Sequence, residues 1–312
     1  MRGFSFRTGL GLIWAFAAIS AFAKPAPRNP KDPFEGDPIV KKGKYKGEAI
    51  RTDRQRSVQV LSKHQLKEYG VELKKGEVAF ANLSDEGTFK IAVIDPANLS
   101  TQPSFLVEEF SKAPTGSHDM WLFKMKPGTS VRVLTQIKDQ PMKQSTIDSF
   151  MFSVEGVNPG GGPFDLLGGG LRGDYNLVYR FISFADKVKW MMVTQSHFVH
   201  EIPVEISESE VKNFFLQSLA ESHKAGPYRA YNTLTKNCTS EALRLLDRVL
   251  VKSRGVGYRT TTIGNPFFQI FTKWAPLGLV CRGLTSMNAW RKTPPLNVSC
   301  RQMVEDLTKA GP

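Results

Sequence analysis

A cysteine at the opening of an amphipathic helix is the residue of this 312-residue chain whose setting points most directly to chemistry. The run Tyr231-Asn232-Thr233-Leu234-Thr235-Lys236-Asn237-Cys238 leads into Ala242, Leu245, Leu246, Val249 and Leu250, which recur at helical spacing and form one apolar face. A thiol in the first turn of such a helix meets unpaired backbone N–H groups and the positive end of the helix dipole, and Lys236 adds charge nearby. These are the conditions that turn a thiol into a nucleophile. The plain alternative is a small buried cysteine that only packs.

A cysteine nucleophile needs a base. Of the five histidines, His118 is the best placed, because Gly116-Ser117-His118 sets an imidazole at the junction of a turn and a strand. His118 and Cys238 are therefore expected within hydrogen-bond reach, with the strand beginning at Asp119 on one side of a cleft and the Cys238 helix on the other. His64 reads as a surface residue and His223 as a charge at a helix C-terminus. His197 and His200, three apart in a predicted strand, point to opposite faces and make a poor metal pair. The triplets Gly160-Gly161-Gly162 and Gly168-Gly169-Gly170 have no Lys-Ser/Thr behind them, so they read as a mobile loop beside a cleft and not as a phosphate cradle. Neither a metal nor a cofactor is expected.

The elements that must position these groups follow from periodicity. Segments 89–95, 104–110, 119–126, 130–138, 147–154, 175–182 and 190–206 are rich in β-branched and aromatic residues and separated by turn residues, which predicts an antiparallel sheet. Ser62 caps a short helix. Ser207 and Glu210 form a capping box before Val211, Phe214, Phe215 and Leu219, a helix that stops at Gly226-Pro227. The Cys238 helix packs one face on the sheet, and the class is α+β. Pro266 to Trp274 reads as a further apolar helix.

Residues 1–23 carry Arg2 and Arg7, then an apolar stretch, then Ala21-Phe22-Ala23, the signature of a cleaved export signal. The apolar stretch is too short to span a bilayer, and no later run serves. Residues 24–56 hold five prolines among lysines and read as a flexible segment, 57–252 as the catalytic domain, and 253–312 as a C-terminal extension. The formal charge is +13. Loss of the leader removes only Arg2 and Arg7, and the remaining positive balance favours an anionic envelope partner over nucleic acid. Three cysteines in an oxidising compartment suggest one bond and one free thiol. Cys281 with Cys300 is the expected pair, and Cys238 the free thiol.

The order of Gly116-Ser117-His118 at a strand start, the loop Leu166 to Gly173, Glu201-Ile202-Pro203-Val204-Glu205-Ile206 before a capped helix, and Asn237-Cys238 opening the next one resembles the Lnb N-terminal periplasmic domain family over residues 100–252. That family is similar to circularly permuted papain-like enzymes, in which the histidine precedes the cysteine, as in the lecithin:retinol acyltransferases. It is implicated in N-acylation of bacterial lipoproteins. The resemblance implies Cys238 as nucleophile and His118 as base, with Glu201 taken as the residue that orients the imidazole. The expectation is thus a periplasmic or secreted thiol acyltransferase or hydrolase acting on a lipid or lipoprotein, with an anionic membrane surface as partner. A cell-wall peptidase or amidase of the same mechanism is the alternative within the class, and a non-catalytic envelope-binding module is the alternative outside it.

Overall fold

Alternation along the strands sets the architecture. Residues 29, 31–35, 46–48, 55–110, 117–158, 165, 168–225, 229–258, 275–292 and 295 are described by a computed structural model. The export signal, the first glycine triplet, the apolar segment 266–274 and Cys300 lie outside these residues. The strands are β1 (Gln59–Val60), β2 (Val78–Asp85), β3 (Thr88–Ile94), β4 (Ser104–Glu109), β5 (Ser117–Lys124), β6 (Val131–Thr135), β7 (Gln144–Ile147), β8 (Ser149–Val157), β9 (Asn176–Ser183), β10 (Phe198–Pro203) and β11 (Arg229–Ala230). They form one sheet in the order β10-β4-β5-β8-β9-β2-β3-β6-β7, with β1 on β2 and β11 on β9.

Every pairing is antiparallel except that of β2 with β9. A register shift between Phe80 and Leu83 interrupts β2, and Asn82 between them has φ +69°. The first half of β2 pairs with β1 and the second half with β9.

Among the described residues the α-helices are α1 (Lys63–Glu68), α2 (Gly168–Arg172), α3 (Phe184–Val188), α4 (Glu208–Ala225), α5 (Cys238–Arg254), α6 (Pro276–Cys281) and α7 (Met287–Lys292). Central strand β5 is buried on both faces. Trp121 and Phe123 join Phe150, Phe152 and Phe181 beneath α4 and α5, whose Phe214, Phe215, Leu245, Leu246 and Leu250 fill the same core. Met120 and Leu122 point the other way, into a smaller cluster with Leu106, Met151, Val188, Met191, Met192 and Val199. The Trp121 ring meets Phe214 edge-on at 5.0 Å, the offset geometry aromatic rings favour. The predicted capping box of α4 forms, Glu210 N–H donating to Ser207 Oγ and Ser207 N–H to Glu210 Oε2.

Two expectations about these elements change. Residues 190–206 are not one strand: α3 runs on into a π-helical turn, Lys189–Thr194, and only Phe198–Pro203 is extended. Burial of Met191 and Met192 against Met120 and Leu106 outweighs the strand preference of that run. The second glycine triplet is a short helix rather than a loose loop, with Gly169 and Gly170 buried. A Cβ on Gly170 would lie 2.0 Å from Thr233 Oγ1, and one on Gly169 would lie 2.4 Å from the Tyr175 hydroxyl, so only glycine allows these approaches. The expected Cys281–Cys300 bond falls on Cys300, outside the described residues; Cys281 itself is an exposed free thiol. The helix Pro276–Cys281 adds Leu279 to the core beneath α4 and α5, together with Leu284 beyond it, so this part of the extension shares the main core.

The proline-rich segment 24–56, expected to be flexible, is tied down at 32–35. Phe34 is 1% exposed and packs on Tyr69 at 5.6 Å between ring centres. The Arg56 guanidinium pairs with the Asp32 carboxylate. Gln136 Nε2 donates to Asp32 Oδ1 at 2.9 Å, and Asn82 Nδ2 donates to the Phe34 carbonyl at 3.1 Å. Deleting a buried phenyl ring leaves a cavity as well as losing transfer energy, so Phe34→Ala should destabilise the protein by about 3 kcal/mol in chemical denaturation. A loss within experimental error would show that this segment detaches in solution.

A buried thiol at the start of helix α5

Asn237 shapes the entry to α5. Its Oδ1 accepts the Ser240 N–H at 2.7 Å, while Ser240 Oγ accepts the Asn237 N–H at 2.9 Å, a reciprocal cap that fixes the first turn. The preceding loop is held by Asn232, whose Oδ1 accepts from Leu234 and Thr235 N–H, and by Asn237 Nδ2 donating to the Thr233 carbonyl at 2.7 Å. Cys238 is therefore the first helical residue, as its sequence setting predicts, and it is a free thiol.

Its surroundings are not those of an activated nucleophile. Cys238 is 7% exposed. Burial, followed by the neighbouring Asp119 carboxyl, pushes the thiol up to about 12, although hydrogen bonding from the Asp119 backbone and from Thr239 pulls the other way. Lys236, expected to supply positive charge, is exposed to solvent. Asp119 is fully buried; its Oδ2 accepts from the Thr239 hydroxyl at 2.5 Å, and its Oδ1 has no hydrogen-bond partner among the described residues. Burial raises the Asp119 carboxyl well above the usual range.

His118 is not brought to Cys238. Successive strand residues project to opposite faces. Asp119 shares the face of Trp121 and Phe123, under α5, whereas His118 shares the face of Met120 and Leu122. There its Nε2 lies 2.8 Å from Ser153 Oγ, and Ser153 donates to Glu155 Oε1 at 3.1 Å. With the serine proton committed to Glu155, the imidazole is the donor to Ser153. Burial and then Lys187 push the imidazole down to about 4, so it is neutral at physiological pH. Burial works against the charge on Glu155, but Arg180 and Lys187 outweigh it and hold that carboxylate low. Glu108, opposite His118 on β4, takes the His197 ring at 2.7 Å. These groups form a buried polar cluster beneath α3, on the far side of the sheet from the thiol.

Glu201 does not orient the imidazole either. It lies on edge strand β10, where Oε1 accepts from Ser104 Oγ at 2.7 Å and from Lys124 Nζ at 2.6 Å. Lys124 is six residues along β5 from His118, about 20 Å at strand rise. The residue the sequence reading missed is Asp119. Its signal was available: residues 119, 121 and 123 share one strand face, and Trp121 and Phe123 are the residues that must meet the amphipathic helices.

Mixed α+β architecture with a capped cysteine helix on a mostly antiparallel sheet defines the class of domain. Residues 132–264 match the family model of the Lnb N-terminal periplasmic domain, which places the protein in the cell envelope outside the cytoplasm. The match takes in Cys238 and Glu201 and begins beyond β5, so His118 and Asp119 lie outside it. No curated protein and no solved structure matches the chain. Among the described residues no helix is long and apolar enough to cross a membrane.

The neutral His118 has a consequence for stability. Its folded pKa lies below the unfolded value of about 6.5, so the unfolded chain binds more protons between pH 6.5 and about 4. Stability contributed by the neutral ring is present above pH 6.5 and is lost as pH falls through that window. Denaturation of wild type and His118→Asn should show the variant with a flatter pH dependence there, and equal slopes would mean that the imidazole charges in the folded state.

Proposed function

We propose that the protein is an exported envelope protein whose Lnb-type domain acts by binding and not by turnover at Cys238. One observation carries this reading: the only thiol in the matched segment and the histidine expected to activate it lie on opposite faces of the sheet. A thiol without an imidazole, beside a carboxyl and away from solvent, is protonated at neutral pH and is a weak nucleophile. The positive charge of the chain makes anionic envelope lipid or polymer the partner class.

Iodoacetamide labelling of Cys238 against pH tests the first part. Wild type and His118→Ala should share one profile that rises only in buffers well above the 8.5 or so of a free thiol. A wild-type inflexion below that value which disappears in His118→Ala would restore the cysteine–histidine enzyme. For the partner, the mature protein should co-sediment with vesicles containing phosphatidylglycerol, less so at high salt, because surface attraction is screened within about 10 Å at 0.1 M. Equal sedimentation with purely zwitterionic vesicles would remove the electrostatic basis of the reading.

A second reading is favoured by the position of Cys238 at the capped start of α5 inside the matched segment. It is thiol acyl transfer to a lipoprotein or lipid amine, or hydrolysis of a cell-wall amide, on a permuted papain-like frame. Intact-mass analysis after incubation with envelope phospholipid and an amine-release assay on cell-wall peptide separate the two readings: an acyl adduct on Cys238 or released amine supports turnover, and an unmodified protein with no amine released supports binding.

A further inference from the structure

We propose that position 119, one residue beyond the histidine, is the proton-handling position of the thiol site, and that Asp119 there holds Cys238 as a neutral S–H group. The inference rests on the binding reading and supplies its physical cause. Thr239 ties Asp119 to the first turn of α5: its hydroxyl donates to Asp119 Oδ2 and lies 3.9 Å from the Cys238 sulfur, and the carboxyl acts electrostatically on the thiol across that short gap. Oδ1, in a fully buried side chain, is left without a partner among the described residues. An orphaned buried acceptor is costly, and the neighbouring group with a spare proton is the thiol.

Protons in such a corner belong to the pair. With Asp119 ionised and the thiol protonated, the pair holds one negative charge. With Asp119 protonated, the pair is neutral. A thiolate beside the carboxylate would set two like charges together away from water, the arrangement that raises acid pKa values most strongly. Among the described residues no cation offsets it, and Tyr231, which also faces the thiol, has its own hydroxyl pushed upward by burial and by Cys238. Lys187 and Arg180 lie across the sheet, engaged with Glu155 and Glu108. An imidazole at 119 would face the sulfur, whereas one at 118 cannot.

The test uses the full mature chain with Cys281→Ser and Cys300→Ser, leaving Cys238 as the sole thiol. The S–H stretching band in Raman spectra of this protein should persist well above the 8.5 or so at which a free thiol ionises. Asp119→Asn removes the charge and keeps the shape, and should speed iodoacetamide labelling at neutral pH roughly tenfold for each unit by which the thiol pKa falls. Asp119→His should label faster still, with thiolate persisting into mildly acidic buffer, while His118→Ala stays at the wild-type rate. The thermal melt of each variant is recorded, so that labelling of unfolded chain is recognised.

An S–H band that disappears at or below the free-thiol value overturns both this inference and the binding reading. A persistent band, with folded Asp119→Asn labelling no faster than the parent, overturns the inference alone. Slower labelling in Asp119→Asn overturns it in the other direction, because Asp119 would then be a base that takes the thiol proton.

Discussion

Two-residue alternation along β5 is the constraint on which the rest of the molecule depends. The strand sits between two layers, and every side chain on it is committed to one of them. Trp121 and Phe123 hold α4 against the sheet through ring contacts with Phe214 and Phe215, and the aliphatic face of α5 packs into the same core. Met120 and Leu122 hold α3 and the π-helical turn on the opposite side. A shift of one residue would exchange the two sets and send both layers' contacts to the wrong face. The faces of His118 and Asp119 are therefore fixed by their larger neighbours and not by any chemistry of their own.

The two polar sites differ in how their charges are balanced. Beneath α3, Glu155 and Glu108 face Lys187 and Arg180, and Ser153 and His118 complete the hydrogen bonding. Partnered in this way, buried charge is tolerable and the imidazole stays neutral. At the start of α5 the hydrogen bonds are fewer, and no cation among the described residues enters. Hydrogen bonding at the helix terminus favours the thiolate, but desolvation and the adjacent carboxyl act more strongly on it. A helix N-terminus favours a thiolate only when its other neighbours permit.

Much of the fold was legible in the residues. The capping boxes and the apolar faces of α4 and α5 follow from local chemistry, and the α+β class follows from the run of strands before them. Cys238 fell at the first position of its helix because Asn237 is a strong cap. What was hidden depended on tertiary contacts. Residues 32–35 read as tether because proline and lysine dominate around them, yet Phe34 and Asp32 find a pocket and a partner supplied by α1, β2 and β6–β7 residues far along the chain. Trp190 to Thr194 read as strand because their side chains suit one, and packing on Met120 decided otherwise. The histidine was chosen for its type and position, while the parity of the apolar residues after it already assigned it to the other face.

The seam between β2 and β9 has a kinetic meaning. The sheet consists of two antiparallel halves, β10-β4-β5-β8-β9 and β2-β3-β6-β7, joined by the parallel register pairs Leu83 with Phe181 and Ser84 with Ile182. Within the second half the hairpin β2–β3 is local in sequence, whereas the seam closes a loop of roughly 100 residues, whose entropy must be lost before its few bonds are gained. The bulge at Asn82 releases β2 from β1 in time to meet β9. Long-range pairing of this kind is slow to form, so the newly exported chain is expected to spend its longest unfolded interval with both seam edges open, the state in which strand edges are most prone to aggregate.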